Sequence, residues 1–337
     1  MKNLELIAYA KQNALSGKNL DRASIIQLLG IPPDSPECEK LGKAARKVSS
    51  AITGDQAYLS GSIGVDFAPC SMSCEYCSMG KKWGIVQKTT QYTDEQVMEW
   101  ANQYVAAGAR RITLRTTEFY SPEVLGVLTA QIKKSVPGEY EVGLNMGEFD
   151  LETANRLYEY GVDYIYHTVR LGEGKNTRFT VEERLKTIQA VLDSPLQLHF
   201  CVEPIGVEHS DEEIADRIMM TIDYCATGAG CMARVPVKGT PLGALPQISE
   251  RRMAQIAAVL RLAKCTGDIS VHPPCELAVE WGCNSLTIEV GANPRDPEYC
   301  PDSEWKHFTA QRAKTWFQKH GYQFSNTLEC RNKCVNP

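Results

Sequence analysis

Apolar and polar residues follow a repeating order along most of the chain, in which a short apolar run precedes a longer stretch with apolar residues at helical spacing. The repeat begins near Ile63 and continues to Val290. Short apolar runs predict buried strands, and a period near 3.6 residues predicts amphipathic helices. Because strand and helix alternate, the pattern favours an α/β fold of repeated β-α units with a parallel sheet.

Eight strands are predicted by this pattern, at 62–67, 111–115, 140–146, 164–169, 196–202, 232–237, 269–272 and 285–290. The helices between them are predicted at 93–107, 122–134, 151–160, 181–192, 211–225, 249–264 and 275–281. Eight such units favour a (β/α)₈ barrel of the TIM type, and a partial barrel of six units is the alternative. A barrel of this kind places its site at the C-terminal ends of the strands.

The two ends of the chain differ from this repeat, so we expect three parts: 1–54, a barrel over 55–292, and 293–337. The first part is predicted to be an N-terminal helical cap, with helical spacing or capping at Leu4, Ile7, Ala8, Leu15, Asp21 and Leu29. The last part is rich in proline, asparagine and charge. It predicts one helix at 302–320 and an extension that closes over one end of the barrel.

Composition places the chain among globular proteins and narrows its partners. With 337 residues and 43% hydrophobic content it can bury a large core. The formal net charge is -5 and lysine and arginine are scattered, so we expect no nucleic-acid partner. The N-terminus lacks the apolar core of a signal peptide and no run of about 18 apolar residues follows, so we expect a cytoplasmic protein without membrane contact.

Three of the thirteen cysteines, Cys70, Cys74 and Cys77, lie within eight residues. In a reducing compartment such a group indicates metal ligation, and the other ten are expected mainly as buried thiols. Three thiolates at this spacing can hold one [4Fe–4S] cluster and leave one iron open to a small molecule. Zinc is the alternative, but no second pair of cysteines or histidines follows at the usual spacing.

The arrangement C-x₃-C-x-φ-C, with Tyr76 directly before the last cysteine, resembles the motif of the radical S-adenosylmethionine (SAM) superfamily. The resemblance implies that SAM chelates the open iron through its amino and carboxylate groups. One electron then cleaves SAM to methionine and a 5′-deoxyadenosyl radical, which takes a hydrogen atom from the substrate. Cys70, Cys74 and Cys77 are then the cluster ligands and catalytic residues, and Tyr76 lies on the adenine side.

The similarity extends over roughly residues 55 to 320 and indicates the subgroup of biotin synthase, the [FeFe]-hydrogenase maturase and methylornithine synthase. Thr116, Thr117 and Glu118 stand where the superfamily has a Gly-Gly-Glu turn that holds the SAM ammonium group, so both glycines are replaced here. Residues 235–242 resemble the subgroup's P-x-x-GTPL segment. Residues 289–293 resemble its Gly-Ala-Asn turn.

A second cluster, as in biotin synthase, would need cysteines and an arginine at barrel positions that here hold Thr113, Gly143, Cys201 and His272. Only one of these is a cysteine, and residues 166–170 also replace that enzyme's Tyr-Asn-His-Asn motif, so sulfur insertion is disfavoured. Cysteines elsewhere in the chain could bind a second cluster or metal, or remain simple thiols; they are Cys275, Cys283, Cys300, Cys330 and Cys334.

Polar residues cluster near the predicted C-terminal strand ends: Arg115, Asn145, Glu148, His167, Arg170, Glu203, Arg234, His272, Glu276 and Glu289. Arg170 is predicted to bind the SAM carboxylate by a paired, charge-assisted hydrogen bond, a buried salt bridge being the alternative. Glu203 is predicted to lie beside the cofactor and, with His272, to contact substrate. The remaining predicted substrate contacts are Arg115, Asn145, His167 and Arg234, and a satisfied core histidine is the alternative for His167 and His272.

These features predict a radical SAM enzyme that acts on a small metabolite or cofactor precursor in a biosynthetic reaction. The alternatives are reversible use of SAM in a carbon-skeleton rearrangement, sulfur insertion, and a non-catalytic iron–sulfur scaffold. The electron is expected from flavodoxin or ferredoxin. Residues 81–83, Lys-Lys-Trp, are a candidate docking patch for such an acidic partner, with plain solvated surface as the alternative.

Overall fold

A computed structural model of the chain describes residues 2–295 and 308–324. Its helices are α1 (Asn3–Leu15), α2 (Arg22–Leu29), α3 (Pro36–Thr53), α4 (Asp94–Ala106), α5 (Pro122–Ser135), α6 (Leu151–Glu159), α7 (Val181–Asp193), α8 (Asp211–Asp223), α9 (Glu250–Ala263), α10 (Glu276–Glu280) and α11 (Ala310–Lys319). Its strands are β1 (Gln56–Gly64), β2 (Asp66–Phe67), β3 (Thr90–Gln91), β4 (Ala109–Arg115), β5 (Glu141–Asn145), β6 (Tyr164–Tyr166), β7 (Gln197–Ile205), β8 (Gly228–Ala233), β9 (Asp268–His272), β10 (Ser285–Gly291) and β11 (Gln323–Phe324).

Eight parallel strands close into a barrel, in the order β1, β4, β5, β6, β7, β8, β9, β10 and back to β1. The closing pair β1–β10 runs in register from Tyr58↔Ser285 to Gly64↔Gly291. The predicted (β/α)₈ barrel is therefore confirmed. The short antiparallel pair of β2 and β3 lies outside the barrel sheet and brackets the cysteine loop.

Hydroxyl side chains define where the surrounding helices begin. Thr93, Thr180 and Ser210 each cap a helix, and the Gln or Glu three residues later reaches back to the cap backbone. Each such cap contributes about 1 kcal/mol to helix stability. Because these signals are local, the helices predicted between barrel strands agree with α4 to α10 to within two residues at each end.

Two barrel strands begin well before the sequence pattern predicts, whereas β4 and β9 begin only one or two residues early. The first starts at Gln56 rather than residue 62, and the sixth starts at Gly228 rather than residue 232. Both contain small or polar residues at alternate positions, as in the sequence GAGCMA of β8. These positions face the barrel interior, so an apolar run is missing where the strand begins.

The N-terminal helices lie along the side of the barrel, over α8 and α9. The Leu20 N–H donates to the carbonyl of Ala263 at one end of α9 (3.1 Å), and Arg252 donates to the carbonyl of Leu29 at the other (2.6 Å). Gly42 permits the close approach of α3 to Trp281, since an added Cβ would lie 2.2 Å from that ring. The helices and the barrel therefore share one apolar core.

The buried face of α1 differs from the expected one. Its buried residues are Leu6, Ile7, Ala10 and Ala14, whereas Leu4, Ala8 and Leu15 are exposed. Of the residues predicted at helical spacing in this helix, Ile7 alone faces the core, because α3 and α9 lie on the opposite side from Leu4 and Leu15.

The described part of the C-terminal extension returns to the N-terminal end of the barrel. There β11 adds to the first residues of β1, with Gln56 opposite Gln323 and Ala57 opposite Phe324. Of the helix predicted at 302–320, α11 covers Ala310–Lys319 and begins after its cap Thr309, so the prediction is wrong at 308–309, while 302–307 lie outside the described residues. Whether 293–337 closes over a barrel end stays a prediction. Within the described residues, no helix has the length and apolar character needed to span a membrane.

Candidate active site

The barrel interior is a cavity of about 310 Å³ into which many polar side chains point. TIM barrels usually fill this space with layers of branched apolar side chains. Here the alternate positions that face inward are polar, sulfur-containing or glycine: Ser60, Ser62, Arg111, Thr113, Arg115, Asn145, Tyr164, Tyr166, His199, Cys201, Glu203, Gly228, Gly230, Met232, Asp268, Ser270, His272, Ser285, Thr287 and Glu289. The barrel therefore encloses space for a polar ligand.

A loop between β2 and β3 brings Cys70, Cys74 and Cys77 to the upper, C-terminal end of this cavity. The Cys70 N–H donates to the carbonyl of Met79 (2.7 Å), and the Lys81 N–H donates to the carbonyl of Cys70 (2.9 Å). The indole N–H of Trp83 donates to the carbonyl of Cys74 (3.0 Å). These backbone bonds fix the loop while leaving the three sulfur atoms for a ligand.

Burial disfavours the thiolate form of the loop cysteines, and a neighbouring cation opposes that effect. Burial raises the pKa of Cys74 to about 11 and that of Cys77 to about 12, and the Arg170 guanidinium opposes both shifts. Metal binding to thiols releases their protons, and a nearby cation favours the resulting thiolates. Three cysteines that share a cavity wall with Arg170 therefore suit a [4Fe–4S] cluster, whose ligands bind three different irons and need not converge on one point.

Arg170 lies between the cysteine loop and two buried carboxylates. Its Nε is 3.8 Å from Oε1 of Glu203, and its Nη1 is 3.9 Å from Oε2 of Glu173. The Nη1 group has no hydrogen-bond partner among the described residues. The hydroxyl of Tyr166 donates to Oε2 of Glu203 (2.7 Å), and the buried ring of Tyr76 lies close enough to influence the charge of Arg170. This arrangement leaves a guanidinium edge that can bind a carboxylate beside the cysteines.

The Thr116-Thr117-Glu118 turn follows β4 at the same end of the cavity. Thr117 is held by Asp66, which accepts from both its backbone N–H (2.7 Å) and its hydroxyl. The Thr116 hydroxyl is buried without a hydrogen-bond partner in the described part of the chain. Burial, followed by the carboxylate of Glu148, raises the pKa of Glu118 to about 7, against the opposing effect of Arg170. Glu118 is thus a buried acid that a bound cation would stabilise as carboxylate.

All the predicted substrate contacts except His167 line the cavity: Arg115, Asn145, Glu203, Arg234 and His272. Glu289 joins two of them, at 3.6 Å from Nη2 of Arg115 and 3.4 Å from Nε2 of His272. Burial, then Arg295, lowers the pKa of His272 to about 3, so its ring is neutral at physiological pH.

Arg295 completes this wall of the cavity, and sequence reasoning missed it. Its guanidinium pairs with Glu289, whose carboxylate also accepts from the amide of Asn293 (3.1 Å). Although burial disfavours the charge, Arg295, His272 and Arg115 hold the pKa of Glu289 well below its usual range. The available signal was its position two residues after the Gly-Ala-Asn turn at the end of β10.

Two of the predicted substrate residues, His167 and Arg234, interact with groups of the protein itself. His167 is buried outside the cavity, with Nε2 3.2 Å from Glu148. It directly follows Tyr166, which faces inward, and successive side chains of a strand face opposite sides. Arg234 borders the cavity, but its guanidinium bonds both oxygens of Glu208 (2.8 and 3.0 Å) and the carbonyls of the following loop. Arg234 therefore positions the 235–246 loop.

Two further members of the predicted strand-end set also lie away from the cavity. Glu148 bonds Arg184 (2.5 Å) behind the barrel wall, and Thr187 donates to it. Glu276 pairs with Lys319 (2.7 Å) and His320 (3.2 Å) between α10 and α11. In both cases the residue follows the strand end by several positions, so the strand no longer controls its direction.

The cysteines considered for a second metal site are not gathered around the cavity. Cys275 and Cys283 are buried and do not line it, while Cys201 does. Within 2–295 and 308–324, no group of three or more His, Cys, Asp or Glu side chains is arranged to hold a single metal ion. Cys300, Cys330 and Cys334 lie outside the described residues.

Tyr164 and His199 form the floor of the cavity. Their rings stack with centroids 3.9 Å apart, and the Tyr164 hydroxyl bonds Thr113 (2.7 Å). A Cβ at Gly143 would lie 2.0 Å from the Tyr164 ring, so that ring occupies the space beside the glycine. Thr113 and Gly143, two of the positions that the resemblance to biotin synthase associates with a second cluster, are therefore covered by an aromatic side chain.

Comparison with known proteins agrees with this cysteine loop and barrel. Residues 68–221 match the family model of the Radical SAM superfamily, so this segment, which contains the cysteine loop, is similar to that superfamily. Among curated proteins it is similar to biotin synthase of Persephonella marina, with 26% identity over 267 residues, covering 74% of this chain and 76% of the relative. Biotin synthase of a Sulfurihydrogenibium species is 26% identical over 275 residues, covering 77% and 79%.

Solved structures show the same fold. HydG, a maturase of the [FeFe]-hydrogenase, superposes with a TM-score of 0.79 at 15% identity, covering 96% of this chain and 76% of its own. Methylornithine synthase, PylB, gives a TM-score of 0.79 at 18% identity, covering 94% and 97%. The expected biotin synthase, HydG and PylB-like subgroup is therefore supported.

Proposed function

We propose that this protein reductively cleaves SAM at a [4Fe–4S] cluster held by Cys70, Cys74 and Cys77, and that the radical acts on a small polar metabolite or cofactor precursor inside the barrel. We place the reaction in cytoplasmic biosynthesis. The observation that carries the proposal is the opening of three fixed cysteines, Glu118 and Arg170 into one enclosed polar cavity. When bound, the cluster and SAM would supply the electron and the 5′-deoxyadenosyl radical.

The residues near the cysteine loop provide complementary groups for SAM. Glu118 presents a carboxylate for the ammonium group, and Arg170 presents a guanidinium edge for the carboxylate of the same molecule. Ion pairs with such geometry gain strength in an enclosed site. Thr116 offers a hydroxyl beside them, and Thr117 holds the turn in place through Asp66. Tyr76 packs close to Arg170 and Cys74, on the side assigned to adenine.

The wall of the cavity opposite Arg170 is suited to the substrate. Arg115 and His272 present hydrogen-bonding groups there, with Glu289 and Arg295 behind them, while Asn145 presents its amide from β5, next to β6. Glu203 lies between this wall and Arg170, and burial raises its pKa. We infer that a polar substrate binds between the two walls, where solvent is excluded and a reactive radical is protected from side reactions.

Sulfur insertion is not proposed, because Tyr164 covers Thr113 and Gly143 and leaves Cys201 as the one cysteine at the corresponding positions. The 26% identity with biotin synthases supports a common superfamily and does not extend to their substrate.

The proposal is tested by anaerobic reconstitution with iron and sulfide, followed by dithionite and SAM, with 5′-deoxyadenosine measured by mass spectrometry. We expect 5′-deoxyadenosine to accumulate only when both dithionite and SAM are present. Once a substrate is known, one 5′-deoxyadenosine per product means that SAM is consumed, whereas far less means that it is regenerated, as in a rearrangement. Bound iron without any SAM cleavage would instead support the scaffold alternative.

Replacing Glu118 by glutamine is expected to weaken SAM binding to the reconstituted protein by roughly 10- to 100-fold, since a hydrogen bond to a charged partner contributes about 1.5–3 kcal/mol. The dissociation constant can be measured by isothermal titration calorimetry without reductant. Glu123→Gln is the matched control, because Glu123 lies on the surface at the start of α5. Equal affinity in Glu118→Gln and wild type would remove Glu118 from the proposed site.

We propose that a flavodoxin- or ferredoxin-type carrier docks at Lys81, Lys82 and Trp83. Both lysines are exposed, and the partly exposed Trp83 indole bonds the carbonyl of Cys74, which brings this surface directly to the cysteine loop. Charge reversal of both lysines to glutamate is expected to raise the KM for flavodoxin severalfold, with a smaller effect at high salt. Dithionite-driven cleavage should not change. Lys18→Glu, a reversal in the exposed turn after α1, is the control, and an equal effect in it would contradict the docking site.

A further inference from the structure

Two cysteines that line the cavity, Cys201 and Cys231, have no part in the proposed cluster. Cys201 lies on β7 two residues before Glu203, so both side chains face inward from the same strand. The hydroxyl of Tyr166 interacts with the Cys201 thiol and also donates to Oε2 of Glu203 (2.7 Å). Thiol, phenol and carboxylate therefore form a continuous chain along one wall of the cavity.

The thiol of Cys201 is held in its protonated form. Burial, followed by the charge of Glu203, raises its pKa well above the ordinary value. A protonated thiol has a weaker bond to hydrogen than most carbon centres in metabolites, so it readily gives a hydrogen atom to a carbon radical. A thiolate has no hydrogen to give.

The depth of Cys201 places it on the far side of a bound substrate from the cysteine loop. Cys70, Cys74 and Cys77 lie at the C-terminal ends of the strands, whereas Cys201 lies within the barrel below Glu203 and above the Tyr164–His199 floor. A molecule between them would face the source of the radical on one side and a thiol on the other.

We propose that Cys201 donates a hydrogen atom to the substrate radical and so completes the reaction, an inference that rests on the proposed function. The S–H bond of Cys201 breaks and a C–H bond forms in the product, leaving a thiyl radical. That radical returns to the thiol by taking one electron from the flavodoxin- or ferredoxin-type carrier and one proton relayed from Glu203 through Tyr166. Because the thiol hydrogen exchanges with water before it is transferred, the product then contains one carbon-bound hydrogen that came from solvent.

The inference can be tested with SAM alone, before a substrate is identified. In D₂O the Cys201 thiol becomes S–D, and a 5′-deoxyadenosyl radical formed without substrate can take that deuterium. We expect 5′-deoxyadenosine with one deuterium from the wild-type holoenzyme. In Cys201→Ser the deuterated fraction should fall at least severalfold, because an alcohol O–H bond is too strong to react. Serine also retains a hydrogen-bonding group for Tyr166.

Cys231→Ala is the matched control and should retain the deuterium. Cys231 also borders the cavity, on the adjacent strand opposite Val202, but it alternates with the inward-facing Gly230 and Met232, so its side chain points into the barrel wall towards Cys275 and Cys283. Undeuterated 5′-deoxyadenosine from wild type, or equal deuterium in Cys201→Ser, overturns the inference while leaving SAM cleavage intact. Loss of deuterium in Tyr166→Phe with retention in Cys201→Ser would assign the donor to Tyr166 instead. Absence of 5′-deoxyadenosine from wild type overturns the proposed function and this inference with it.

Discussion

Replacing Cys74 by alanine is expected to abolish SAM-dependent formation of 5′-deoxyadenosine. The loop supplies three thiols and no fourth, so the loss of one leaves two ligands for the cluster. The residue lies in the wall of the cavity beside Arg170, where its thiolate would be compensated. The reconstituted variant should contain little iron and give no EPR signal from a reduced cluster.

Cys231→Ala serves as control for the general effect of removing a buried thiol, and it should retain both iron and activity. Circular dichroism of Cys74→Ala should match the wild type, because the loop backbone is held by bonds that do not involve the side chain. Full activity in Cys74→Ala would show that the cluster is held elsewhere.

Replacing Arg184 by methionine is expected to lower the free energy of unfolding of the metal-free protein by about 3–5 kcal/mol, because removing one partner of a buried ion pair leaves uncompensated charge. Arg184 is fully buried, bonds Glu148 (2.5 Å) and Glu173 (3.2 Å), and lies 3.7 Å from the ring centre of Phe179. Both carboxylates would lose this cation. Urea unfolding followed by circular dichroism measures the change.

The control is Arg156→Met, which removes an exposed pair with Glu152 on α6 (3.5 Å). Such surface pairs contribute between zero and about 1 kcal/mol. A loss below about 1 kcal/mol in Arg184→Met would mean that the two carboxylates take up protons or find other partners, contrary to the network described around Arg170.

The barrel could be predicted because its helices depend on local signals. Hydroxyl caps such as Thr93, Thr180 and Ser210 precede amphipathic stretches, so the residues next to each helix indicate where the helix begins. Strands were less predictable where the interior is polar, as at the start of β8. The usual apolar run is missing because those inward positions line a cavity.

The candidate site, like the fold, was predictable in one part and not in another. The cysteine loop was predictable because its chemistry lies within eight residues. The direction of side chains near strand ends was not predictable. Successive residues of a strand point to opposite sides of the barrel wall, so Tyr166 faces the cavity and His167 does not. Networks between distant segments, such as Arg184 with Glu148 or Arg111 with Asp268, depend on the closed barrel and have no local signal.

Whether the three cysteines hold a cluster that binds SAM is tested by the EPR spectrum of the reduced, reconstituted protein with and without SAM, together with its metal content. We expect about four irons per chain, a signal from a reduced [4Fe–4S] cluster, and a change in that signal when SAM binds to the open iron. Bound zinc, or a reduced cluster whose signal is unaffected by SAM, would show that the loop does not form this site.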